Sequence, residues 1–480
     1  MIRIGTSGFR GIDGKDINEN VVYKIGLATL SIIRKRNLRR EIFIGYDFRK
    51  NSLKYSQILA NLLSKNGILC HFLKGGVTSS MVSFLCRTEN LDLSIMVTSS
   101  HNPYSYNGVK IFSKGGQDLN SDMENDYNIE VQKLENFNDF VVDARGVSAD
   151  LHQSYYEKKY IRSLTKNVFI DKNLRVAFDT MHGSSRRLAN KLIKHLGING
   201  EVIDSMKMAK TIFDAPIPSK ENTYLHQDLV KKQKLDFTFA TDGDGDRMAF
   251  AFDDGTYHDA SDVAPLLYYF ACKIKGLKGG LVCNYSFPTL GRIVCDKLGE
   301  KFIESKIGFK NIGEKLLAEN ALVGCENSSM AFTPHTPYKD GLVCFVMMCE
   351  LVSCYKMPIS KIMAEFKGKM QFFNNYCEIS YHFEEKNIST QVFNHNDKTI
   401  LSHIDMANFH PKIDGEKYIK MENLDGYKYF FVGSFVLIRQ SGTEKVLRFV
   451  VESDKDAKCV AEDVKNQFET YLRGEIEFVN

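Results

Sequence analysis

The sequence predicts an α/β protein of three mixed α/β domains followed by a fourth, smaller α+β domain. Up to about residue 368, short apolar runs alternate with amphipathic helical stretches, the order that builds largely parallel sheets. Several of these runs end in polar loops punctuated by glycine or proline, where open α/β sheets place their ligands. From about residue 369 the pattern changes to alternating aromatic and polar residues, closed by a helical stretch over 457–472. A chain of 480 residues suits three or four domains. A polar, charged stretch before Tyr155 marks one boundary, and the expected domains are 1–149, 150–253, 254–368 and 369–480.

Composition narrows the class. Hydrophobic residues make up 43% and charged residues 25%, values of a globular chain. The net charge of +4 gives no reason to expect a nucleic-acid partner. Eleven cysteines, an odd number, lack paired metal spacings, so neither a zinc site nor a disulfide framework follows. Residues 1–11 carry no apolar signal core, and the apolar run 341–355 is interrupted by Glu350 and too short to cross a bilayer. The expectation is a soluble cytoplasmic protein with no membrane partner.

The first segment opens on Gly5-Thr6-Ser7-Gly8-Phe9-Arg10-Gly11, read as a loop whose glycines free backbone amides and whose Arg10 can pair with an anion. A plain surface loop is the competing reading. Val21, Ile25, Ala28 and Ile32 recur at helical spacing over residues 20–34. A strand follows at 42–45, then Asp47 and Arg49. Tyr55, Leu59, Leu62 and Leu63 form a second helical face ending at Gly67, and a strand follows at 68–73. The buried strand 93–97 leads into Thr98-Ser99-Ser100-His101-Asn102-Pro103, whose Asn-Pro pair breaks regular structure. A serine held at such a strand end can act as a covalent nucleophile, although serine and asparagine also populate ordinary turns. Asn107-Gly108-Val109-Lys110 is expected to turn the chain back and present a lysine beside the serine.

In the second segment, strand 174–178 precedes Asp179-Thr180-Met181-His182-Gly183. Strand 235–240 then runs into Thr241-Asp242-Gly243-Asp244-Gly245-Asp246-Arg247. Carboxylates at every second position, separated by glycines, can converge on one hard cation, and oxygen-only ligation suits magnesium or calcium. An EF-hand is excluded, because its sixth loop position should be glycine and here is Arg247, and because 248–252 reads as a strand. An aspartate-rich turn without metal is the remaining alternative.

The third segment offers strand 280–284. In the fourth, Arg439-Gln440-Ser441-Gly442-Thr443-Glu444 combines a guanidinium, two hydroxyls and a glycine, the parts of a phosphate cradle; a hairpin turn is the competing reading.

Taken in order from Gly5 to Arg448, these motifs resemble those of the α-D-phosphohexomutases, the family of phosphomannomutases, phosphoglucomutases and phosphoglucosamine mutases. The resemblance implies four domains around a central active-site cleft and transfer of phosphate between the 1- and 6-positions of a hexose. It implies that Ser100 carries the phosphoryl group and that Asp242, Asp244 and Asp246, with a phosphoserine oxygen of Ser100, hold Mg2+. Arg10, Lys110 and His101 are then expected as catalytic partners, and Asp47 and Arg49 as a buttressing ion pair. Arg247 is expected to contact phosphate or sugar, Lys310 to face the substrate, and Glu326 and Ser328 to recognise sugar hydroxyls. Arg439, Ser441, Gly442, Thr443 and Arg448 are expected to hold the phosphate that does not react. A hexose 1,6-bisphosphate is expected as intermediate and activator, in a monomer or homodimer. Cys325, Ser329 and Met330 depart from the usual sugar loop and Lys445 replaces the usual proline, so phosphoglucosamine mutase and a non-catalytic sugar-phosphate-binding relative stand as alternatives.

Overall fold

The computed structural model describes residues 4–5, 8–137, 142–204, 215–382, 401, 404–441 and 446–477. They form two compact units, one of residues 1–284 and 291–366 and one of residues 285–290 and 367–480.

The first unit holds three sheets. The first runs through β1 (Ile4–Gly5), β2 (Gly8–Ile12), α1 (Glu19–Lys35), β3 (Glu41–Tyr46), α2 (Ser52–Lys65), β4 (Leu69–Phe72), α3 (Ser79–Thr88), β5 (Leu93–Val97), β6 (Tyr106–Ser113), β7 (Gln117–Asp118) and α4 (Ser121–Lys133). Its strand order is β1-β2-β6-β5-β3-β4, with β7 on β6. Strands β3, β4 and β5 are parallel, and β6 returns antiparallel beside β5. Ile42, Ile44, Leu93, Ile95 and Val97 alternate onto one face and pack with Ile25, Ile32, Leu59 and Leu63 of α1 and α2. The opposite face meets α3 so closely that a Cβ on Gly45 would lie 2.8 Å from Val82 Cγ2. Helix α1 begins where Asn18 accepts from Val21 N, and both it and strand β5 fall where the apolar periodicity puts them.

The second sheet belongs to α5 (Gln153–Leu164), β8 (Arg175–Asp179), α6 (Arg186–Leu196), β9 (Asn199–Ile203), α7 (Tyr224–Gln233), β10 (Phe237–Ala240), β11 (Ala249–Phe252) and β12 (Tyr257–Asp259), in the order β12-β11-β10-β8-β9. The third belongs to α8 (Ala260–Lys273), β13 (Leu281–Asn284), α9 (Leu290–Leu298), β14 (Phe302–Ser305), α10 (Phe309–Ala318), β15 (Val323–Glu326), β16 (Ser329–Phe332), α11 (Gly341–Tyr355) and α12 (Ile359–Met370), in the order β14-β13-β15-β16. One rule repeats in all three sheets. A strand paired in parallel on one side (β5, β10, β15) leads into a short loop and returns as an antiparallel neighbour (β6, β11, β16). The serine loop, the aspartate loop and the Asn327–Ser328 tip are these three connections.

The second unit is an antiparallel sheet, in the order β17-β23-β22-β21-β20, covered by a helix. Its elements are β17 (Asn375–His382), β18 (Lys412–Ile413), β19 (Glu416–Lys417), β20 (Lys420–Glu422), β21 (Tyr427–Phe431), β22 (Ser434–Gln440), β23 (Val446–Ser453) and α13 (Ala457–Glu477). Strands β18 and β19 pair separately. Tyr381, Tyr429, Phe449 and Phe468 fill its core, and each such buried aromatic contributes about 1.5–3 kcal/mol.

No single helix among the described residues is long and apolar enough to cross a membrane. All eleven cysteines are free. Two local expectations are corrected. Arg10 lies on strand β2, opposite Gly108, not in a loop, and residues 107–110 lie within strand β6 instead of turning the chain. In both, ladder pairing to a distant strand overrides the local glycine signal.

Candidate active site

The serine loop is fixed from below by one side chain. Arg49 donates Nη2 to the carbonyls of Ser100 (2.6 Å) and Asn102 (2.7 Å), and Nη1 to those of Pro103 (2.7 Å) and Tyr106 (3.0 Å). Its Nε donates to Asp47 Oδ2 at 3.2 Å, and Asp47 also accepts from Ser52 Oγ and Thr98 Oγ1, each at 2.6 Å. Ser100 takes the left-handed φ of +54°, which a residue other than glycine adopts only when its surroundings hold it there. Its amide donates to Thr98 Oγ1 at 2.9 Å.

So held, Ser100 Oγ donates to Asp242 Oδ2 at 2.8 Å, joining the first sheet's loop to the second's. The approach is close: a Cβ on Gly243 would lie 2.7 Å from the Ser100 carbonyl oxygen, so only glycine fits between the aspartates. Gly341 is needed on the far side, where a Cβ would meet Arg247 O at 2.6 Å. Asp242, Asp244 and Asp246 are fully buried, with carboxylate oxygens within 4.8 Å of one another. Asp242 Oδ1 accepts from the amides of Asp246 (3.0 Å) and Arg247 (3.1 Å).

Lys110, buried in β6, reaches between two of them, donating to Asp244 Oδ2 at 2.6 Å and Asp246 Oδ2 at 2.8 Å. Tyr338 donates to Asp246 Oδ2 at 3.0 Å. Asp244 Oδ1 and Asp246 Oδ1 are buried and make no hydrogen bond, although Lys339 Nζ lies 3.5 Å from Asp246 Oδ1. These two carboxylate oxygens, beside Asp242 Oδ2, form an all-oxygen donor set that suits a hard divalent cation. Burial and the two neighbouring carboxylates push Asp242 up to about 7. Burial acts on Asp246 in the same sense, but Lys110, Lys339 and Arg247 outweigh it and hold this carboxyl below the usual range. Burial opposes the charge of Lys110, yet Asp244 and Asp246 raise its pKa overall, so it stays an ammonium.

His101 lies beside the serine, its Nδ1 3.4 Å from Ser100 Oγ and its Nε2 3.2 Å from Arg247 Nη2. A guanidinium only donates, so Nε2 accepts and Nδ1 carries the ring hydrogen. Burial, then Arg247, Arg10 and Lys339, press its pKa well below the ordinary histidine value. The Nε of Arg10 is buried without a hydrogen-bond partner.

The hairpin tip of the third sheet abuts this cluster, Ser328 O accepting from Met248 N at 2.9 Å. Glu326 accepts from Gly308 N at 3.1 Å. Cys325, Ser329 and Met330 are buried in strands β15 and β16, whereas Glu326 and Ser328 are only partly so. The departures at those three positions therefore sit in the sheet, not on the tip. Lys310 is engaged elsewhere, with Glu124 (2.6 Å) and Ser121 (3.0 Å) of α4. In the second unit, Arg439 and Arg448 are direct cross-strand partners, and Arg439 Nε is buried without a partner. Ser441 donates its amide to Val446 O at 3.0 Å; Gly442 and Thr443, like Thr6 and Ser7, lie outside the described residues. The sequence reading missed Tyr338 and Ser79, both bonded to the aspartates, because no local pattern marks either one.

A serine poised on a triple-aspartate cluster within a set of α/β domains is the arrangement of an intramolecular phosphotransferase, a mutase. The chain belongs to the phosphoglucomutase/phosphomannomutase family, in the α-D-phosphohexomutase superfamily. It matches that family's alpha/beta/alpha domain I over residues 1–136, domain II over 158–255, domain III over 262–369 and the C-terminal domain over 410–468. Phosphoglucosamine mutase of Clostridium botulinum (strain Loch Maree / Type A3) is 25% identical over 471 residues, covering 95% of each chain. Phosphoglucomutase/phosphomannomutase of Thermococcus kodakarensis is 24% identical over 462 residues, again covering 95% of each. The crystal structure of a putative phosphomannomutase from Thermus thermophilus superposes with a TM-score of 0.80 at 21% identity, covering 98% of this chain and 99% of that one.

Proposed function

We propose that the protein interconverts a hexose 1-phosphate and a hexose 6-phosphate through a phosphorylated Ser100 and a hexose 1,6-bisphosphate, which also serves as activator. The observation that carries this reading is the Ser100–Asp242 hydrogen bond set beside two buried carboxylate oxygens that make no hydrogen bond. Asp242, Asp244 and Asp246 would hold Mg2+, with an oxygen of phosphorylated Ser100 as a further ligand. When bound, the ion neutralises charge on the transferring group.

The chain's own residues supply the rest. A substrate hydroxyl attacks phosphorus, the bond to Ser100 Oγ breaks, and the hydroxyl proton leaves to a base. His101, its Nδ1–H facing Ser100 Oγ, donates to the oxygen on which charge develops. Lys110 keeps Asp244 and Asp246 in place, and Arg10 and Arg247 add positive charge near the group in transfer. Glu326 and Ser328 recognise sugar hydroxyls, and Lys310 contacts substrate after leaving Glu124. Arg439, Ser441, Gly442, Thr443 and Arg448 grip the phosphate that does not react. Arg448 faces Arg439 across the strand pair and lies 3.7 Å from Glu378 Oε1, whereas the buried Nε of Arg439 makes no hydrogen bond, and that donor supports a phosphate-binding role for Arg439. The bisphosphate then reorients and returns its other phosphate to Ser100. Eleven free cysteines fit a reducing, cytoplasmic setting.

Phosphoglucosamine mutase is the second reading, favoured by the Clostridium relative. A coupled assay on the 1-phosphates of mannose, glucose, glucosamine and N-acetylglucosamine decides between the two. Turnover of mannose or glucose phosphate supports the first, and turnover confined to the amino sugars supports the second. Turnover of none of them by protein phosphorylated on Ser100 overturns both.

A further inference from the structure

On the first unit, a cavity of about 470 Å3 opens between the end of α3, the outer face of α5 and the segment after β16. Cations line it: Arg87 from α3, Lys159 and Arg162 from α5, and Lys166 from the turn that follows it, with Ser163 and His335 at its wall. Residues 159, 162 and 163 fall at helical spacings of three and four, so α5 presents them together. Glu89 neutralises Lys159 at 2.7 Å. Arg87 is anchored by Nη1 on the carbonyls of Thr333 and His335, both at 3.0 Å, leaving its other donors free to act. Among the described residues no carboxylate pairs with Arg162 or Lys166.

The wall is rigid. His335 bonds Ser163 Oγ through Nδ1 (2.9 Å) and Asp340 Oδ2 through Nε2 (2.9 Å), and it stacks on Phe84 with ring centroids 5.0 Å apart. Tyr160 OH donates to the same Asp340 oxygen at 2.7 Å. None of the cavity's residues belongs to the serine, aspartate or sugar loops.

We infer that this cavity is a binding site for a small phosphorylated anion, separate from the site of phosphoryl transfer. Arg162 and Lys166, two cations without a carboxylate partner among the described residues, together with the remaining donors of Arg87, suit a tetrahedral dianion. The inference stands on its own residues and does not rest on the proposed mutase chemistry.

Pyridoxal 5′-phosphate tests it on the full-length protein. Its phosphate docks beside Arg162 and its aldehyde condenses with a lysine Nζ, releasing water; borohydride then fixes the imine for peptide mapping. Lys166 or Lys159 should label ahead of the other surface lysines. Inorganic phosphate or glycerol 3-phosphate should protect, and the stronger competitor tells whether the free ion or an organic phosphate is preferred. Arg162→Glu, a change at an exposed position, should slow that labelling roughly tenfold or more. Labelling at Lys310 would appear on a different peptide and report on the catalytic region alone. Labelling that shows no preference for Lys159 or Lys166, or that neither anion suppresses, overturns the inference.

Discussion

Arg49 Nη2 lies 2.6 Å from the carbonyl oxygen of Ser100, and the same guanidinium gathers three further carbonyls of the loop. The conformation of the serine thus depends on a residue that need not touch substrate. Arg49→Met removes those donors and leaves Asp47 buried without its cation, a change that costs about 3–5 kcal/mol. We expect a lower Tm and a fall in kcat larger than any change in KM. Arg49→Lys should restore part of the stability and little of the rate, since an ammonium cannot span four carbonyls. Thermal denaturation and steady-state kinetics measure both, and wild-type behaviour of Arg49→Met would dismiss the anchoring role.

Active protein should carry a phosphoryl group on Ser100. Peptide mapping locates it, and Ser100→Ala should lower turnover by about four orders of magnitude or more, as loss of a covalent nucleophile does. A phosphoryl group on another serine of fully active protein would shift the assignment there.

Asp244→Asn should weaken magnesium activation and turnover together, because it removes a charge from a hard-cation site. The same change leaves Lys110 with one carboxylate instead of two. Titration of activity against magnesium gives the answer, and an unchanged magnesium dependence would count against the triple-aspartate site.

Arg439→Ala should raise KM by roughly ten- to a hundredfold, the effect of losing a bidentate contact worth about 1.5–3 kcal/mol. Turnover should fall less, since the phosphate held there is not the one transferred. Arg439→Lys should rescue in part. Equal KM and kcat in wild type and both variants would remove this loop from the substrate site.

Much of this architecture is legible without coordinates, because strand and helix periods are local. Leu93–Val97 reads as a buried strand and is one; the face of Val21, Ile25, Ala28 and Ile32 lies in helix Glu19–Lys35. The aspartate loop is equally local, its three carboxylates brought together by the two glycines between them. The order of motifs along the chain was sufficient to place it in its family.

Other features are invisible to any local window. Arg10 and residues 107–110 carry turn-like glycines, yet strands β2 and β6 pair through them. Lys110 looks like a solvated charge and is instead buried between aspartates more than a hundred residues away. Tyr338 carries no motif, and Cys325 and Met330, conspicuous in sequence as changes to a recognition loop, lie inside a sheet. Periodicity and turn chemistry reside in neighbouring residues, so the sequence by itself determined which elements form and which loops carry chemistry. Which side chains meet depends on sheet register and on helices packing across it, and only the tertiary structure decided that.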